Sequence, residues 1–317
     1  MATDPIPLGV SACLLGHPVR YDGGDKNDPW IATVLSGVFQ PIAICPEVEA
    51  GLAVPRPPMR LVGQGMSAPR LVTVMDGRDM TPGVALLTRT RMVQLATPEP
   101  RGFIFKSRSP SCGVASTPLH DDAGGVIGVA SGLFAEAFMR RFPLAVVVEE
   151  TELVSREGRA GFVERMFVAD RWLRLRAAGM TRERLSTFQA RHKFQVMAHD
   201  PASMRRLGRL AAVGDAVAVE AYGRELFAAM KDHASVEHQV DVLMHLFGFF
   251  KKDVTAPEKR NFLELLEAYR SRRITREVVR SWLRGQAVRW KKDVLLSQWY
   301  LFPDPREEAL LSVGCQS

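Results

Sequence analysis

Cysteine is scarce in this sequence, with four in 317 residues and no two of them near each other. So few thiols cannot form the dense disulfide framework of a small secreted domain. The absence of any CxxC pair argues against a structural zinc site, which normally draws its ligands in close pairs. Long apolar runs are missing as well: no uninterrupted stretch approaches the roughly 18 residues that a membrane-spanning helix needs. The opening MATDPIPLGV is too short and uncharged to read as a signal peptide, so the expectation is a cytoplasmic protein. In that compartment cysteines are spare buried thiols, metal ligands or catalysts. Internal repeats and low-complexity tracts are also lacking. What remains is an ordinary globular composition, 46% hydrophobic and 24% charged, long enough for two domains with real cores.

Charge and periodicity divide the chain. Residues 1–150 hold 13 Lys and Arg against 14 Asp and Glu, whereas residues 151–317 hold 29 against 21. The whole surplus of positive charge therefore lies in the second part, which points to an anionic partner there. Up to about residue 150, short β-rich apolar runs at 7–10, 41–44, 71–74, 103–105 and 144–148 alternate with helical patterns such as 28–38, where Asp28 can cap and Pro29 suits the first helical position. Buried strands alternating with helices predict an α/β sheet that is mostly parallel. Beyond that point apolar residues recur at helical intervals over 156–177, 182–198, 218–246 and 277–300, and TAPE at 255–258 has the spacing of a capping box. The predicted architecture is an α/β, Rossmann-like sheet domain at 1–155 followed by a basic all-α domain at 156–317, with the junction in the charged stretch 149–159.

The cysteines fall into this frame. Cys13 follows the strand PLGVSA, Cys45 follows PIAI, and Cys112 lies a few residues past FIF. Each thus sits beyond the carboxyl end of a predicted strand, the edge of an open α/β sheet where ligands bind because loops from adjacent strands converge. Free cysteines are often just small buried hydrophobes. Here, however, the flanks SACLLG, CPEVEAG and SPSCG are polar or rich in glycine and proline, unlike packed strand interiors. Three scattered thiolates suit a soft, iron-containing cluster with one iron left without a protein ligand.

The segments SACLLGHPVRYDGG (11–24), CPEVEAGLAVPRPP (45–58) and KSRSPSCG (106–113) together resemble the thiouracil desulfurase family, whose members hold a [4Fe-4S] cluster by three cysteines. TFQARHKFQVMAHDPASMRRLGRL (187–210), VLMHLFGFFKK (242–252) and LLSQWYLFPDP (295–305) resemble the helical domain fused to that module in bacterial 4-thiouridine desulfidases acting on tRNA. The resemblance implies a [4Fe-4S] cofactor with one iron lacking a protein ligand, held by Cys13, Cys45 and Cys112. It places Glu47 and Ser109 on the catalytic positions, with Ser107 and Ser111 as close alternatives to Ser109. It also implies tRNA as the partner and redox-neutral hydrolysis of 4-thiouridine to uridine as the reaction. Cys315 lies outside every motif and is given no role.

These residue types fit that chemistry. A thiocarbonyl sulfur is soft and suits an open iron, whose Lewis acidity makes the pyrimidine C4 a better electrophile. Glu47 can take a proton from the attacking water, or it can merely cap the helix that follows CPE. The serines of KSRSPSCG offer hydroxyls and backbone N–H groups, or a Ser-Pro turn satisfying itself. Lys106 and Arg108 can hold a phosphate of the same nucleotide or stay solvated, and Tyr21 can stack on a base or pack. In RSRRITREVVRSWLRGQAVRWKK (270–292), Arg276, Arg280 and Arg284 are spaced four apart and predict a basic helical stripe for RNA phosphates, the alternative being a solvated face. Trp282, Trp290 and Trp299 follow the apolar face and read as core, while His192, Lys193 and His199 read either as core polar groups or as RNA contacts. Two other functions stay open: a desulfurase of free thiopyrimidines, and an iron–sulfur sensor that binds nucleic acid.

Overall fold

In the computed structural model, which describes residues 4–63 and 69–313, the first apolar run forms β1 (Ile6–Ser11), buried along its whole length. A 3-10 turn over Ala12–Leu15 follows, then α1 (Pro29–Val34). The Asp28 side chain accepts the Trp30 and Ile31 N–H groups and Pro29 opens the helix, as the sequence pattern predicts. Next come β2 (Phe39–Ile44), the single-turn α2 (Pro46–Glu49), β3 (Met59–Val62), β4 (Arg70–Thr73) and α3 (Thr81–Gln94). The domain continues with β5 (Gly102–Phe105), β6 (Thr117–His120), β7 (Val126–Ala130), α4 (Leu133–Arg141) and β8 (Val146–Glu149).

Four of these strands form a parallel sheet in the order β2-β1-β5-β8. The other four form a second sheet, β4-β3-β6-β7, in which β3–β4 and β6–β7 are antiparallel pairs. The apolar run at 71–74 therefore belongs mainly to β4 of the mixed sheet and not to the parallel one. Its link to β3 is too short for the crossover of a dozen or more residues that a parallel connection requires, so the pair must run antiparallel.

Phenylalanines build the core on one face of the parallel sheet. Phe103, Phe105, Phe134 and Phe138 are fully buried, with the Phe103 and Phe105 rings stacked at 3.9 Å and the Phe138 ring edge-on to Phe103 at 5.1 Å. Burying each such side chain contributes about 1.5–3 kcal/mol. Gly9 of β1 makes this packing possible, because a Cβ there would lie 2.2 Å from the Phe103 ring.

The chain divides into two compact units between Asp170 and Arg171, inside α5 (Arg156–Ala177). The division falls later than residue 155 because the first turns of α5 pack on the sheet domain: Phe162 lies 6.4 Å from Trp30, and Phe167 lies 6.4 Å from Phe39. The second unit is helical throughout: α6 (Arg182–His199), α7 (Pro201–Val213), α8 (Ala216–Ala229), α9 (Val236–Phe247), α10 (Ala256–Arg270), α11 (Arg276–Arg289), α12 (Asp293–Leu296) and α13 (Pro305–Val313). The capping box at the start of α10 is present, Thr255 and Glu258 bonding each other's backbone N–H. Trp282 packs 5.1 Å from Phe262 in a core that also contains Phe247, Leu283 and Leu301. No helix among the described residues is long and apolar enough to cross a membrane. Cys315 lies outside the described residues.

Candidate active site

Because β2, β1 and β5 are parallel neighbours, their carboxyl ends share one edge, and each is followed by a cysteine. Cys13 lies in the 3-10 turn after β1, Cys45 is the N-cap of α2 directly after β2, and Cys112 lies in the loop after β5. All three line one cavity of about 470 Å³, together with Tyr21, Glu47, Arg56 and Ser109. All three thiols are free; Cys13 and Cys112 are buried and Cys45 half-buried. Burial, and after it the neighbouring Cys45, pushes the Cys13 thiol up to about 11. Burial likewise raises Cys45 and takes Cys112 well above the ordinary thiol range. Burial thus disfavours the thiolate form of all three, and a cation bound among them would favour it.

Among the described residues, no group of three or more His, Cys, Asp or Glu side chains is arranged to hold a single metal ion. A cluster asks for something different, since each thiolate binds its own iron and the sulfurs stand apart around one cavity. Three separated cysteines around a shared hollow fit a cluster held by three protein ligands.

The loop that carries Cys112 is seated on α4. The Pro110 carbonyl accepts the Leu133 N–H at 3.3 Å, and the Ser111 carbonyl accepts that of Phe134 at 3.0 Å, so the loop satisfies helix-start donors that have no partner within the helix. Gly132 allows this approach: a Cβ there would meet the Ser111 carbonyl carbon at 2.4 Å and the Cys112 nitrogen at 2.6 Å. Within the loop the Ser109 hydroxyl accepts the Cys112 N–H at 3.2 Å, while Ser107 bonds Glu150.

Glu47 lies on α2, two residues past Cys45, and is 8% exposed. Its Oε1 accepts the hydroxyl of Ser111 at 2.8 Å, and its Oε2 accepts Arg56 Nε at 2.9 Å and Nη2 at 2.5 Å. Arg56 Nη2 also donates to the Val19 carbonyl at 3.0 Å, anchoring the pair to the loop after Cys13. The alternative role of a helix cap falls to Glu49, whose Oε1 accepts the Cys45 N–H at 3.2 Å. Of the three candidate serines, Ser111 is the one whose hydroxyl reaches Glu47, and it is fully buried. Sequence reasoning did not single out Arg56, although it stands within CPEVEAGLAVPRPP.

Lys106 does not extend a free ammonium toward a phosphate. Its Nζ is paired with Glu150 Oε1 at 2.5 Å and with Ser107 at 3.0 Å. Arg108 is exposed and lines the same cavity. Tyr21 stands at the cavity 44% exposed, with the Arg20 guanidinium 5.5 Å from its ring centre.

In the second unit the four-residue spacing of Arg276, Arg280 and Arg284 does align them, but on a face turned toward Tyr300 and Leu301. Arg280 is 5% exposed, lies 3.1 Å from Glu277 and stands 5.6 Å over the Tyr300 ring. Arg284 pairs with Glu277 and, at 2.6 Å, with Glu308, and Arg276 lies over Tyr300 at 5.7 Å. Two members of the expected stripe, Arg280 and Arg284, are thus engaged by Glu277 and Glu308. Arg270, Arg272, Arg273, Arg289 and Lys291 are the exposed cations of this region, with Arg289 paired to Glu258. His192 is buried and stacked on Phe188 at 3.8 Å, which makes it a core group. Trp299 has the guanidinium carbons of Arg171 and Arg191 at 3.7 Å and 4.1 Å from its ring centre.

Residues 8–150 match the family model described as 2-thiouracil desulfurase. Among solved structures, the [4Fe-4S]-dependent thiouracil desulfidase TudS is 33% identical, covering 48% of this chain and 93% of its own, with a TM-score of 0.38. The first domain thus carries the match to the 2-thiouracil desulfurase family. Residues 193–305 match a second family model, a protein of unknown function, DUF1722. The uncharacterized protein YbgA of Escherichia coli (strain K12) is 26% identical over 113 residues, which span 33% of this chain and 66% of that protein. The first match thus ends just after β8, the last strand, and the helical unit carries a match of its own.

Proposed function

We propose that this protein is a [4Fe-4S]-dependent desulfidase that converts 4-thiouridine in tRNA to uridine by redox-neutral hydrolysis, the sheet domain acting as catalyst and the helical unit as RNA grip. The observation that carries the reading is the convergence of Cys13, Cys45 and Cys112 with Glu47 and Arg56 on one cavity, the Ser111 hydroxyl bonding Glu47. Cys13, Cys45 and Cys112 hold the cluster. When bound, it supplies an iron without a protein ligand as a soft Lewis acid for the thiocarbonyl sulfur. Glu47 accepts the proton of the attacking water and returns it as the C–S bond breaks. Ser111 and Arg56 fix the two carboxylate oxygens so that this proton moves at a defined place. Arg108 and Tyr21, at the cavity, hold the nucleotide that carries the base. The exposed cations Arg270, Arg272, Arg273 and Lys291, within a half of the chain that bears the entire positive surplus, support phosphate contacts.

A second reading, a desulfurase of free thiopyrimidines, is favoured by one finding: the 2-thiouracil desulfurase match ends at residue 150, before the helical unit. The two readings separate in a competition between tRNA bearing 4-thiouridine and free 4-thiouracil over a salt series. The tRNA reading expects a lower KM for tRNA that rises steeply with salt, because dissolved cations compete with the protein for every phosphate it neutralises. Equal turnover of both substrates, with no salt response for tRNA, selects the second reading.

A further inference from the structure

The loop carrying Cys112 is held at both ends by two consecutive carboxylates. The sheet register sets Glu149 of β8 beside Phe105 of β5, so β8 ends where this loop begins. Glu149 is buried, and its Oε1 accepts the Val114 N–H at 2.6 Å and also the Ser116 hydroxyl. Ser116 Oγ in turn accepts the N–H of Arg108 at 2.9 Å, a residue held in the left-handed region at φ 56°. Glu150 uses both oxygens: Oε2 accepts the Ser107 N–H at 2.7 Å, and Oε1 accepts the Ser107 hydroxyl at 2.7 Å and the Lys106 ammonium at 2.5 Å. One carboxylate therefore fixes the incoming arm and the other the outgoing arm. Only residues 109–113, with Ser111 and Cys112, span the gap. Charge-assisted bonds of this kind are shorter and stronger than neutral ones. Burial alone would raise Glu150, but its bonds to Lys106 and Ser107 outweigh burial and hold the carboxyl below the usual range.

We propose that Glu149 and Glu150 are positioning residues that clamp this loop and so set the place of the Cys112 sulfur and of the Ser111 hydroxyl against Glu47. Neither carboxylate lines the cavity that the three cysteines share. The inference rests on the proposed function only for what the Cys112 thiolate holds; the clamp itself is a property of the loop. The two residues differ in a way that makes the claim specific. Glu149 holds the loop through Oε1, and its side chain also accepts the Glu152 N–H at the start of the following turn, so Glu149→Ala removes the loop acceptor together with that cap. Glu150 uses both oxygens, so Glu150→Gln must turn an amide NH₂ against the Ser107 N–H or the Lys106 ammonium.

The test is site-resolved alkylation of the full-length, cluster-free protein with iodoacetamide, read peptide by peptide by mass spectrometry. The expected result is that Cys112 labels about tenfold faster in Glu150→Gln and Glu149→Ala, while Cys13 and Cys45 are unchanged. Cys112 labelling at the parent rate in both damaging variants overturns the clamp. So does a common rise at all three cysteines, which would mean general loosening of the fold. Iron bound per chain after anaerobic reconstitution is measured alongside. Failure of the parent protein to take up iron sinks the cluster reading, while the labelling result stands.

Discussion

Glu47→Gln will slow desulfidation by roughly two to four orders of magnitude, the range by which a positioned general base contributes, while iron content stays at the parent level. The geometry gives the reason. Glu47 is the carboxylate of the shared cavity whose two oxygens are separately fixed, by the Ser111 hydroxyl at 2.8 Å and by Arg56 at 2.5 Å and 2.9 Å. Glutamine preserves the volume and one acceptor but cannot take a proton from water. A single-turnover assay with reconstituted protein reads the chemical step apart from binding. An unchanged rate with a full cluster would remove Glu47 from the chemistry. An iron–sulfur sensor needs no water-activating base, so the same variant separates a sensor from an enzyme.

Arg56→Met will destabilise the sheet domain by about 3–5 kcal/mol, the loss usual when one partner of a buried ion pair is removed and the other is left uncompensated. The Arg56 and Glu47 side chains are 7% and 11% exposed, so water screens the remaining charge only weakly. Adding Glu47→Gln to Arg56→Met removes that stranded charge and recovers part of the loss, a non-additivity that a double-mutant cycle reads directly. Chemical denaturation followed by a fluorescence signal from Trp30 of the sheet domain reports the change. A loss within about 1 kcal/mol, the range of exposed pairs, would show that the pair is solvated. Arg56 then holds the site together and orients its carboxylate by one and the same contact.

Much of this site was legible because strands and their ends leave simple marks. Apolar runs gave β1, β2, β5 and β8, and parallel neighbours necessarily deliver Cys13, Cys45 and Cys112 to one edge. The mixed sheet was not legible in the same way. Its strands are short and half-buried, and a run such as 71–74 reads identically whether its partner is parallel or antiparallel. Contacts distant in sequence were hidden too: Arg56 reaches Val19, and Ser111 reaches Glu47 across the sheet edge. Spacing within KSRSPSCG cannot rank its three serines, because the direction of each hydroxyl depends on how the loop sits on α4. Glu149 and Glu150 looked like the start of a charged junction, yet β8 ends on them and they grip the Cys112 loop. The surroundings of the arginine stripe were hidden for a related reason. Periodicity set Arg280 and Arg284 on one face, but only the packed fold shows that this face is lined by Tyr300 and Leu301.

The most direct measurement is anaerobic. The protein is reconstituted with iron and sulfide, mixed with tRNA carrying 4-thiouridine, and the near-ultraviolet absorbance of the thiocarbonyl is followed, beside variants in which Cys13, Cys45 or Cys112 is serine. The account predicts that the band disappears with the reconstituted parent protein and persists with each cysteine variant. Persistence of the band with a fully loaded parent protein that binds the tRNA, or its loss at the parent rate without the three cysteines, would contradict it.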